Sequence, residues 1–121
     1  EAIFCNKGVI GLMPTLCPKV EKAMDLIGKR WTGLIIYQLL QGPQRFCEIE
    51  NSLPISGRLL SERLKDLEKE GIVSRKVFPE VPVRVEYSLT EKGKALEPMM
   101  KELQKWSESY ITVETDTVHA K

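Results

Sequence analysis

The hydrophobic period of this chain changes abruptly at Gly71. Before it, Leu60, Leu64 and Leu67 recur at i, i+4 and i+7, the spacing that gathers side chains on one face of a helix. After it, Val73, Arg75 and Val77 alternate with Ser74, Lys76 and Phe78, and Val83, Val85 and Tyr87 alternate with Arg84, Glu86 and Ser88, the period of a strand. Pro79-Glu80-Val81-Pro82 separates these runs, and since neither proline has an N–H to give a ladder, it reads as a hairpin tip longer than a two-residue turn. A helix feeding straight into a two-stranded hairpin leaves few folds open. The expected class is mainly α with a small β-hairpin, an α+β domain.

The other elements are helical. Cys17-Pro18 suits a helix start, and Val20, Met24, Ile27 and Trp31 follow at spacings of three or four. Gly28-Lys29-Arg30 ends or kinks this helix, and the pattern resumes through Trp31, Leu34, Ile35 and Leu39 until Gly42-Pro43. A short helix fits Arg45 to Ser52, with Phe46, Ile49 and Leu53 as its buried stripe and Pro54 closing it. Ser56 stands where an N-cap belongs, and the helix it opens runs to Gly71. Thr90 is expected to cap a last helix carrying Leu96, Met99, Leu103, Trp106 and Tyr110 on one face. With 121 residues the chain has room for one domain, placed at 17–111. Residues 1–16 read as an N-terminal extension or vector remnant, and 112–121 as a polar tail.

Apolar residues at 42% and charged residues at 29% are ordinary for a domain with a real core. No apolar run approaches the roughly 18 residues needed to cross a bilayer, and Glu1 to Leu12 lacks the layout of a signal peptide. Cys5, Cys17 and Cys47 form neither a disulfide framework nor a zinc pattern, which points to a reducing compartment, the cytoplasm by default. His119 is the only histidine, and no phosphate loop, paired-carboxylate setting or metal-ligand spacing accompanies it. The expectation is therefore no enzyme, no metal and no cofactor. Net charge is +1, so local placement must decide whether a polyanion binds.

The order helix, helix, short helix, capped helix, hairpin, long helix is that of a winged helix-turn-helix domain, whose capped helix enters the major groove of double-stranded DNA. Ser56, Arg58, Ser61 and Lys65 make the groove-facing set. Arg58 is suited to guanine, whereas Lys65 and Lys69 suit phosphates. Arg75, Lys76 and Arg84 give the hairpin its positive charge, and Arg45 and Arg63 complete the basic set, Arg63 as an internal salt-bridge or phosphate residue. Exposed Arg and Lys also fit a plain solvated face. A winged-helix protein-interaction module without DNA binding is the alternative, and salt-dependent binding to duplex DNA separates the two.

Four segments carry a resemblance: Asp25-Leu26-Ile27-Gly28-Lys29-Arg30-Trp31, Gly42-Pro43-Gln44-Arg45-Phe46-Cys47-Glu48-Ile49, Leu60-Ser61-Glu62-Arg63-Leu64-Lys65-Asp66-Leu67-Glu68 and Tyr87-Ser88-Leu89-Thr90-Glu91-Lys92-Gly93. In that order they resemble the HxlR-type transcription regulators, relatives of the MarR group, over about Cys17 to Tyr110. The resemblance implies a homodimeric regulator of bacterial type on a palindromic operator, often a repressor of detoxifying or redox enzymes. Dimerisation through the first and last helices is implied too, which would employ Val20, Met24, Leu96, Met99, Leu103, Trp106 and Tyr110. Ordinary intrachain core is the other reading of that stripe.

The resemblance also implies that Cys17 is a redox-sensing thiol. At a helix start, with Lys19 and Lys22 within a turn, the thiolate is favoured, and the thiolate is the species that attacks quinones, aldehydes, hypochlorite or disulfides. Cys47, between Phe46 and Ile49, reads as a small buried hydrophobe and, with Cys5, only as a secondary thiol. The last helix has no cysteine, so alkylation or a mixed disulfide at Cys17 is the preferred mechanism. A noncovalent aromatic effector near Trp31 or Trp106 is the rival one.

Overall fold

The computed structural model describes residues 17–113. Helix α1 spans Pro18–Gly28, with Cys17 as its extended N-cap and the proline in its first turn. It does not run on into α2, Thr32–Leu39, because Trp31 between them has φ 79°. Among the described residues this is the one non-glycine in the left-handed region, a conformation costing about 1–3 kcal/mol that surrounding contacts must offset. The contacts are visible: the indole packs against the core, and the Arg30 guanidinium lies 4.8 Å from its ring centroid.

Gly42, at φ 133°, and Pro43 turn the chain after α2 into a two-residue strand β1, Gln44–Arg45. This corrects the sequence reading, which began the short helix at Arg45 and foresaw only two strands. Two residues are too few to show a period, and β1 exists through its pairing, Gln44 with Tyr87 and Arg45 with Glu86. Helix α3, Phe46–Ser52, follows, with the backbone N–H of Arg45 donating to the Glu48 carboxylate at 2.8 Å. Helix α4, Gly57–Lys69, starts at Ser56, whose hydroxyl accepts the N–H of Leu59 at 3.1 Å. Leu60, Leu64 and Leu67 are buried on its inner face, against a core that includes Ile35, Ile36 and Ile49.

Gly71, at φ 77°, ends that segment and strands β2, Val73–Phe78, and β3, Arg84–Leu89, form an antiparallel hairpin. The three-stranded order is β1-β3-β2. The expected last helix is in fact two: α5, Glu91–Lys94, capped by Thr90, and α6, Glu97–Tyr110. Pro98 is the reason, since it fits the first turn of α6 but would break the interior of one long helix. The break also turns Leu96 onto the core and buries Met100, while Met99 remains exposed.

Candidate nucleic-acid interface

Arg58, Ser61 and Lys65 stand at i, i+3 and i+7 of α4, opposite the buried leucines, and so share one outward face. The Arg58 side chain is 90% exposed and has only a 3.9 Å approach to Glu62. Lys65 is exposed and Ser61 half-buried. Ser56 is exposed at the start of the same helix, with one hydroxyl lone pair committed to its cap. Arg58, Ser61 and Lys65 thus share a face, with Ser56 at the start of their helix.

Arg63 goes elsewhere. Its Nε donates to the Arg30 carbonyl at 3.0 Å and its guanidinium lies 3.7 Å from Asp66, so it pins α4 to the turn between α1 and α2. Lys29 reaches the same carboxylate at 3.6 Å.

Strand alternation splits the basic residues of the hairpin. Arg75 shares a face with Val73 and Val77, while Lys76 lies on the other with Ser74 and Phe78. Arg84 is drawn into a cluster that sequence reasoning missed: its guanidinium donates to Glu80 at 2.8 Å and to Glu86, and lies 3.9 Å from the centroid of the Phe78 ring. Glu86 occupies the middle strand opposite both Arg45 and Lys76. The signal was available in the i, i+4 pair Glu80 and Arg84 within the wing.

The hydrogen bond from Arg84 holds the Glu80 carboxyl below its ordinary pKa; desolvation opposes this, and the charges of Arg84 and Arg45 add to it. The bond to Glu80 likewise raises Arg84. Because the folded-state value is depressed, the tie contributes at pH above the ordinary glutamate value and is lost as pH falls through the lowered one. An NMR titration should place the Glu80 midpoint below that of a free glutamate, and Arg84→Gln should raise it toward the free value. An unchanged midpoint in the variant would mean that the tie is not made in solution.

Other exposed residues are apolar. Met24 is 67% and Tyr110 73% exposed, and Val20, Met99, Leu103 and Trp106 are also exposed. Leu96 is not with them; it is half-buried against the core, a correction to the expected stripe. Leu34 and Tyr37 of α2 were not foreseen and add to this surface, and a groove of about 410 Å³ runs between α2 and α6 past Leu34, Tyr37, Met100 and Leu103. Tyr37 Oη donates to Gln104 across it at 2.8 Å. Trp106 stacks at a tilt on Tyr110, 5.8 Å between centroids.

Cys17 is half-buried at the start of α1, and Cys5 lies outside the described residues. Cys47 is exposed on α3, which corrects the expectation of a buried thiol: Ile49 and Phe46 supply the inward face, and Cys47 points away from it. Among the described residues no group of side chains could hold a metal ion, and no helix is long and apolar enough to cross a membrane.

A family profile described as HxlR-like helix-turn-helix matches residues 26–115. The chain belongs to that family. It is 61% identical over 97 residues to the HTH-type transcriptional regulator YvaP of Bacillus subtilis, covering 79% of this chain and 90% of YvaP. Reduced YodB of B. subtilis, a transcriptional regulator, superposes with a TM-score of 0.72 at 52% identity, over 80% of this chain and 96% of YodB. Its quinone-bound form gives 0.69 at 49%, over 78% and 100%. The redox regulator HypR in its oxidised form gives 0.74 at 43%, over 78% and 99%. As a member of this HxlR-type group the chain is a winged-helix transcriptional regulator.

Proposed function

We propose that this HxlR-type chain binds a palindromic operator as a homodimer and responds to oxidants or electrophiles through Cys17. The observation that carries the reading is the presence of two separate surfaces: the polar face of α4 with Arg58, Ser61 and Lys65, and the exposed apolar residues of α1, α2 and α6. A two-fold axis through the apolar face presents two copies of α4 on one side, and each would enter a major groove about 34 Å from the other. Arg58 reads base edges, and Lys65, Lys76 and Arg75 reach phosphates. Arg84, held by two carboxylates, instead stiffens the wing, and Arg63 holds α4 in place.

The thiol reading rests on where Cys17 stands. It is the N-cap of α1, whose Val20 and Met24 belong to the apolar face, so a group added to its sulfur changes what that face can pair with. The similarity to YodB, of which a quinone-bound form is known, and to the redox regulator HypR supports the same class of signal. With a quinone, the Cys17 thiolate adds to a ring carbon and the ring oxygen takes up a proton, so no further oxidant is needed.

Operator affinity of the wild type should change at least about tenfold, about 1.4 kcal/mol, on treatment with p-benzoquinone. Cys17→Ser should abolish that change, and Cys47→Ser should keep it. A Cys17→Ser protein that still responds would move the sensor to the exposed Cys47 or to Cys5.

A further inference from the structure

A second groove, of about 610 Å³, lies between α1 and the joint of α4 with β2, and shares Ile27 with the first. One wall is the α1 face formed by Lys19, Lys22, Ala23 and Leu26, at i, i+3, i+4 and i+7. The other wall is Ile72, at the joint between α4 and β2, with Leu96 between α5 and α6. The volume is in the range of small-molecule sites. Its apolar lining is aliphatic throughout, with no aromatic ring. Three lysines, Lys19, Lys22 and Lys92, stand at its rim against one acid, Glu70. The Lys92 ammonium donates to the Glu70 backbone carbonyl at 2.6 Å and stays at the rim.

An aliphatic trough with a cationic rim is complementary to one kind of molecule, an alkyl chain ending in an anion. We propose that this groove binds a medium-chain carboxylate, with the chain along Ala23, Leu26, Ile72 and Leu96 and the carboxylate at Lys19 and Lys22. An aromatic effector would find no ring to stack on here. Val20 and Met24 lie outside the groove lining, so this ligand and a partner on the apolar face do not compete. Since Ile72 directly follows the turn that ends α4 and precedes β2, the bound chain ties α1 to the joint between reading helix and wing. The groove begins beside Cys17, at Pro18 and Lys19, and is a noncovalent input to the same regulator.

The test is calorimetric titration of the full chain with decanoate below its micelle concentration, with decanol as the uncharged control. Decanoate should bind, and decanol at least about tenfold more weakly because a charge-assisted contact is missing. Lys19→Glu combined with Lys22→Glu should weaken decanoate by at least about tenfold for the same reason, and Ala23→Trp, which fills an exposed lining position, should abolish binding at unchanged melting temperature. Equal binding of decanoate and decanol, unaltered binding to either variant, or no binding to the full chain would each overturn the proposal. In the last case a shift of Ala23→Trp to monomer in sedimentation would show that a second copy covers the groove instead. Because this readout needs no DNA, its failure is distinguishable from failure of the operator reading.

Discussion

Replacing Leu103 and Trp106 together by Glu is expected to convert the protein to a monomer and to weaken operator binding by roughly 100-fold or more, because the second half-site is then no longer bound intramolecularly. Both side chains are already half exposed, at 53% and 52%, so the substitutions should cost the fold little. In the proposed dimer they would place four carboxylates in an apolar contact, where an unpaired buried charge is penalised heavily. Sedimentation velocity gives the mass and circular dichroism the fold. A variant that stays dimeric with unchanged operator affinity would remove α6 from the interface and leave Val20 and Met24 of α1, with Leu34 and Tyr37 of α2, to be tested next.

Gly93→Ala is expected to be the most damaging single methyl group. A Cβ at this buried position in α5 would lie 2.4 Å from the carbonyl oxygen of Ile72 and 3.0 Å from Leu89 Cδ2. Backbone cannot swing aside as a side-chain tip can, so α5 must move off the start of β2, and overpacking of this kind costs about 1–3 kcal/mol. For a domain of this size each kcal/mol lowers Tm by about 4 °C or more. The same contact holds Thr90, whose hydroxyl donates to the Gly71 carbonyl at 2.5 Å and whose N–H donates to that of Ile72 at 2.9 Å, so the junction of α4 and the wing should loosen as well. Gly28→Ala is the control: nothing lies within 4 Å of its Cβ, and a helical alanine should be neutral or stabilising. Equal melting temperatures for the two variants would mean that α5 is not pressed against Ile72.

The contrast between those glycines shows what a sequence can and cannot display. Elements that bury one face announce themselves, and the leucine stripe of α4, its Ser56 cap and the alternation of β2 and β3 were all legible from spacing. Elements that exist through a remote partner do not. Strand β1 is two residues long and is defined by Tyr87 and Glu86, and the turn at Trp31 depends on a left-handed backbone that its residue type does not favour. The division of α5 from α6 has a local signal in Pro98, which the sequence reading of one long apolar stripe leaves out.

Site residues divide the same way. Arg58 and Lys65 are outward because their helix has an inward face, and periodicity suffices to say so. Whether an outward cation is available depends on which acids the fold brings beside it. Asp66 takes Arg63 three residues before it, and Glu80 and Glu86 take Arg84 from four residues before and two after, so these pairs are legible along the chain; that Lys29 reaches the same Asp66, and Arg63 the Arg30 carbonyl, depends on the fold. Cys47 was misjudged for a related reason: apolar neighbours in sequence at Phe46 and Ile49 do not share its direction on a helix.

The most direct test of operator recognition is a fluorescence titration of the reduced protein against its own promoter duplexes at about 50 and 200 mM salt, alongside Arg58→Ala and Lys65→Ala. Specific binding is expected to weaken roughly a thousandfold over that range, as for about six phosphate contacts per dimer. Arg58→Ala should cost about 1–3 kcal/mol per half-site and blur the sequence preference, whereas Lys65→Ala should weaken all sequences alike and flatten the salt dependence. No binding to any promoter duplex at low salt, or binding indifferent to both substitutions, would contradict the assignment of α4 as the reading helix.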